Sequence, residues 1–159
     1  MAVVIEPELQ KKIDERYSRS MIVYGAVASS ALMMAAVGFF VLPSGQPSTA
    51  AQAVMPIWVL VFFLAVAAIV ARRFLVRWER LRDIKLLRGI DGLLGALQAN
   101  TVILAAISEM IVIAGIISSF VSGDRGDLVR AVIIAGVVFF LNFPRRSAWN
   151  TIVSNLKDV

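Results

Sequence analysis

Residues 20–71 read SMIVYGAVASSALMMAAVGFFVLPSGQPSTAAQAVMPIWVLVFFLAVAAIVA, fifty-two consecutive positions without a charged side chain, closed by Arg19 on one side and Arg72 on the other. A hydrocarbon core about 30 Å thick takes roughly 20 helical residues to cross. The run is therefore far too long for one crossing and the right length for two. Pro43-Ser-Gly-Gln-Pro-Ser-Thr49 divides it with an uncharged, turn-forming stretch. The first span is expected at about 20–42 and the second at about 53–71, ending at Arg72-Arg73. Ala51-Gln52-Ala53 could imitate a signal-peptide cleavage site, but the apolar run before it is too long for a signal core, so span one is expected to be permanent.

The rest of the chain extends this pattern. A third span is expected at about 98–122, inside the apolar stretch from Gly92 to Ser122 that only Glu109 interrupts. A fourth is expected at about 128–143. Its uncharged part, Ala131 to Phe143, is short, so Leu128 to Arg130 must join it with Arg130 snorkelling. Apolar residues make up 59% of the chain and charged ones 17%, with mean hydropathy +0.82, outside the soluble range. The expected fold is an all-α membrane protein, one four-span domain over residues 1–159, with amphipathic cytoplasmic helices at both termini.

The lysines and arginines set the orientation. The N-terminal segment has Lys11, Lys12, Arg16 and Arg19, and the tail has Arg145, Arg146 and Lys157. The connector at 72–91 has Arg72, Arg73, Arg77, Arg80, Arg82, Lys85 and Arg88, and over 72–88 only Glu79 and Asp83 oppose them. The opposite face has Arg125 and Arg130 alone, which puts both termini and the connector in the cytoplasm. A bacterial inner membrane is the expected location. The seven connector cations are candidate contacts for anionic lipid. Residues 1–19 are expected to form an interfacial helix with Leu9, Ile13, Tyr17 and Met21 on one face. After Pro144, residues 145–157 carry a second stripe of Trp149, Ile152, Val153 and Leu156.

Glu109 is the one ionisable residue deep in a span. A central acidic or basic residue costs roughly 2.5–3.5 kcal/mol on insertion scales, so it should be protonated, paired or turned to a polar cavity. No lysine or arginine lies at its depth in another span; Ser29, Ser30, Ser108, Ser118 and Ser119 are candidate partners. Glu109 with Ser108 is thus a candidate ion or proton site. Thr101, Ser108, Gly115 and Ser122 recur every seven residues and make a candidate packing seam, within a bundle or between copies.

Ala106-Ile-Ser-Glu109-Met-Ile-Val-Ile-Ala-Gly115 resembles the ion-carrying helix of rotary ATPase c subunits (proteolipids), in which an Ala precedes the Glu by three and a Gly follows it by six. The resemblance implies that Glu109 carries a proton or sodium ion in a membrane ring. It covers span three only, and span one has Gly25 and Gly38 in place of that family's glycine repeat.

Cysteine and histidine are both absent, which removes disulfides, thiolate nucleophiles, imidazole bases and the usual transition-metal ligands. No lysine lies in a span for a Schiff base, and no phosphate-binding glycine loop or nucleic-acid recognition pattern is visible. The expectation is a non-enzymatic membrane protein without cofactor or nucleic-acid partner, a self-associating structural or accessory subunit of a larger membrane complex. A proton- or cation-handling oligomer centred on Glu109 is the alternative.

Overall fold

The computed structural model describes residues 7–41 and 51–156. The expected turn at 43–49, the first six residues and the last three, including Lys157, lie outside the described residues. Five helices follow in order: α1 (Pro7–Val41), α2 (Ala51–Leu75), α3 (Trp78–Ser122), α4 (Arg125–Asn142) and α5 (Arg146–Leu156). Among the described residues there is no strand. Four helical segments are long and apolar enough to cross a membrane.

Two of the helices, α1 and α3, run well beyond span length. At 1.5 Å per residue, the 35 residues of α1 reach about 52 Å, well beyond a 30 Å hydrocarbon core. The N-terminal segment and the first span are thus one uninterrupted helix. In α3 the helix breaks at Gly89, where φ is 66° and ψ is −168°, a conformation open essentially to glycine alone. The break reverses the chain. Arg80 Nη1 lies 3.4 Å from Asn100 Oδ1, whereas twenty residues of continuous helix would separate them by about 30 Å. The arm 78–88 therefore lies back along the start of the third span. The basic connector expected at 72–91 thus doubles back at Gly89 instead of extending as one helix.

The two amphipathic stripes are put to a use the sequence did not suggest. Leu9 and Ile13 of α1, Leu81 of the arm, Leu93, Leu94 and Leu97 of α3, and Trp149, Val153 and Leu156 of α5 form one buried cluster. Apolar faces read as resting on lipid are turned onto protein, and the basic end of the molecule has a packed core of its own. Tyr17 donates to the Pro144 carbonyl at 3.0 Å and meets the Trp149 ring edge-on at 5.7 Å. Arg146 closes the outside with two hydrogen bonds to Asp14 Oδ1, at 2.6 and 3.0 Å. The elbow between α4 and α5 is set by Pro144, which holds Phe143 extended (φ −54°, ψ 126°) and ends α4 at Asn142.

A second cluster fills the apolar bundle, with Ala31 and Ala35 of α1, Val61 and Ala68 of α2, Ile111, Val112 and Ala114 of α3, and Ala135 and Val138 of α4. Small residues let the helices approach closely where no hydrophobic effect drives them together. Tyr24, in α1, donates to the Phe139 carbonyl and packs edge-on against Phe139 and Phe143.

Candidate functional site

The seven-residue seam faces inward. Thr101, Ser108 and Gly115 are buried and Ser122 partly so. A Cβ on Gly115 would come 2.3 Å from the Ala131 Cβ, so the two backbones meet there closely. Thr101 and Ser108 turn their hydroxyls back to the carbonyls of Leu97 and Leu104, at 3.0 and 2.9 Å. The seam thus joins α3 to α4 within one chain.

Ser108 is accordingly no partner for Glu109. Ser118 donates to Asp127 and Ser119 to the Asp124 carbonyl, which removes two further candidates. Among the described residues, no hydrogen-bonding or ion-pair partner reaches Glu109, which is partly exposed. Its neighbours Ala106 and Met110 are exposed, so it sits at the rim of the outward face of α3.

An open groove of about 740 Å³ runs along α1, lined by Ser29, Ser30, Met33, Val37 and, from α3, Ile116, about two helical turns beyond Glu109. The helices α1 and α3 run parallel, and Gly38 meets Ile116. Seven residues back along each helix, about 10 Å toward the basic end, the register sets Ala31 level with Glu109, so Ser29 and Ser30 share its depth. Both serines are exposed and lack a side-chain partner among the described residues. A partly exposed carboxyl and two exposed hydroxyls thus occupy one level of an otherwise apolar surface.

The connector cations do not form one patch. Arg72 and Arg73 end α2. Arg77 pairs with Glu79 at 3.6 Å and lies over the Phe74 ring, while Arg80 caps the end of α2 by donating to the Leu75 carbonyl. Arg82 and Arg88 are exposed and Lys85 half-buried. Trp78 and Leu87 are exposed on the same arm, at 44% and 84%, which gives it an apolar edge among its cations.

A buried carboxylate elsewhere escaped the sequence reading. Asp127, in the first turn of α4, is 4% exposed, accepts from Ser118 Oγ at 3.0 Å and lies 3.3 Å from Arg130 Nη1. Its neighbour Asp124 is the N-cap, accepting from the Gly126 amide at 2.8 Å. The only signal was the spacing of Asp127 and Arg130, three apart at a helix start. The Arg130 side chain is 67% exposed. Asp127→Ala should cost about 1–3 kcal/mol, because it leaves the buried Ser118 hydroxyl without its acceptor. Arg130→Gln should cost much less, since that partner is largely solvated. Thermal unfolding in one detergent compares the two.

No known protein family, curated protein or solved structure matches the chain, so the functional reading rests on these residues themselves. The likeness of residues 106–115 to a proteolipid helix stays a local one.

Proposed function

We infer that the chain is a non-enzymatic four-span membrane subunit that self-associates through the α1–α3 face, with its basic end in the cytoplasm. The observation that carries this reading is Glu109, partly exposed and without a partner among the described residues, at the level of the groove serines Ser29 and Ser30. Lipid tails offer no hydrogen bonds, so a membrane carboxyl looks to protein or to water. A second copy suits it better than an unrelated surface. Across a two-fold axis the same patch meets itself, and two facing carboxyl groups satisfy each other through a shared proton while Ser29 and Ser30 flank them. The orientation rests on the fourteen cations of the basic end against two at the other, and the arm's cations and apolar edge suit contact with anionic lipid.

The chain lacks cysteine, so one introduced thiol is unambiguous. Ser30→Cys should cross-link into dimers in membranes under mild oxidant, whereas Phe63→Cys, on the exposed side of α2, should not. Monomer alone in native mass measurements, together with no Ser30 cross-link, would sink the reading. The same exposure of Glu109 favours a second reading, proton or cation carriage. It requires carbodiimide labelling of Glu109 in the wild-type protein and proton flux that Glu109→Gln removes.

A further inference from the structure

At the basic end, where α2 and α4 both finish, a cavity of about 100 Å³ opens between Arg72, Asn100, Asn142, Arg145 and Trp149. The size suits one small oxyanion group.

Its polar lining is unbalanced. Asn100 is satisfied, donating to the Leu75 carbonyl at 2.9 Å, and Thr101 donates to Leu97. Asn142 is not: it is only 5% exposed, and neither its amide nitrogen nor its oxygen has a partner. A buried amide left unpaired costs about 1–3 kcal/mol, so its position in the cavity wall calls for a ligand. Neither the Arg72 nor the Arg145 side chain has an ion-pair or hydrogen-bond partner among the described residues. Two arginines and an asparagine with an unused amide thus line one small space. Guanidinium matches tetrahedral oxyanions through paired N–H bonds, and a half-buried one at the edge of the hydrocarbon gains most from a counter-ion.

We propose that this cavity binds a phosphate group, and that its natural source is the headgroup of an anionic phospholipid. The rim argues for a lipid. Val76 and Phe143, both lining the cavity, are 42% and 43% exposed, so the mouth has an apolar lip on which acyl chains can rest. The site also sits where a headgroup would, at the level where two apolar helices end. It is distinct from diffuse attraction to the arm cations, and it does not depend on self-association at Glu109.

The test is thermal unfolding of the purified full chain in neutral detergent, titrated with phosphatidylglycerol, phosphatidylcholine or inorganic phosphate. Saturable stabilisation by phosphatidylglycerol, absent with phosphatidylcholine, is the expected result. Arg145→Gln should weaken it at least tenfold; Arg145 is exposed and gives α5 only its backbone carbonyl, so the fold survives. Asn142→Leu, of similar volume, should raise the stability of the lipid-free protein and lose the response to lipid. Arg82→Gln, an exposed arm cation, should leave the response unchanged. Stabilisation by inorganic phosphate alone, with the same loss in Arg145→Gln, supports the oxyanion site but gives it a soluble ligand and overturns the lipid source. No response to either, or equal losses in Arg82→Gln and Arg145→Gln, overturns the site.

Discussion

Gly115→Leu should yield no folded bundle, and Gly115→Ala should fold with a stability lower by about 1–3 kcal/mol, the usual range for forcing one extra methyl group into a packed core. The added Cβ would lie 2.3 Å from the Ala131 Cβ, with the Cα atoms of Ala131 and Leu128 at 3.7 and 3.8 Å. Carbon atoms pack at about 3.5–4.0 Å, so α3 and α4 would have to separate by more than 1 Å, roughly. No flexible side chain can swing away, because the obstructing atom is fixed to the α4 backbone. Ala131→Gly in the same chain moves the methyl group from one helix to the other and should recover most of the loss. A double-mutant cycle measured by thermal unfolding isolates that coupling. Gly25→Ala is the control, since nothing lies within 4 Å of its added Cβ. If Gly25→Ala and Gly115→Ala cost the same, close packing of α3 on α4 is not what the glycine provides.

That seam shows how far the sequence could be read. Small residues seven apart on one helix define a face, and Thr101, Ser108 and Gly115 are indeed buried together. Periodicity in one helix does not say which partner meets the face, so packing between copies and packing within the chain looked alike. The four apolar helical segments were legible because hydrocarbon thickness sets the lengths of apolar runs. The start of the fourth was not legible: the sequence puts it at about 128, and the helix begins at Arg125, capped by Asp124. Nor was the reversal at Gly89. Gly89, Gly92 and Gly95 share one stretch, and only the folded chain distinguishes the one with positive φ. The packed basic end stayed hidden for a related reason. An amphipathic stripe such as Leu9 and Ile13 has the same pattern whether it faces lipid or another helix, and only the return of the arm and α5 supplies the protein partner. Glu109 was legible as an anomaly from its charge, but its outward position depends on the rotation of α3, which its neighbours determine.

Trp149→Ala should loosen the basic end while leaving the apolar bundle assembled. Trp149 is 4% exposed, belongs to the cluster that includes Ile13, Leu81 and Leu93, and meets the Tyr17 ring edge-on. Truncating a buried tryptophan to alanine typically costs about 3–5 kcal/mol. That loss falls on α5, whose eleven residues are too few to remain helical in water without packing. The bundle's own cluster shares no residue with that of the basic end, so the two should come apart separately. Trypsin should then cut after Arg145 or Arg146 at least tenfold faster than in the wild type, while the spans stay protected in detergent. Helicity by circular dichroism should fall by about the α5 contribution and no more. Trp149→Phe keeps an aromatic ring against Tyr17 and should recover most of the protection. Because Trp149 also lines the phosphate-sized cavity, Trp149→Ala should lose the response to phosphatidylglycerol as well, although it removes no charge. Loss of the whole bundle would mean that the basic end holds the spans together. An unchanged cleavage rate would mean that α5 is held by Asp14 and Arg146 alone.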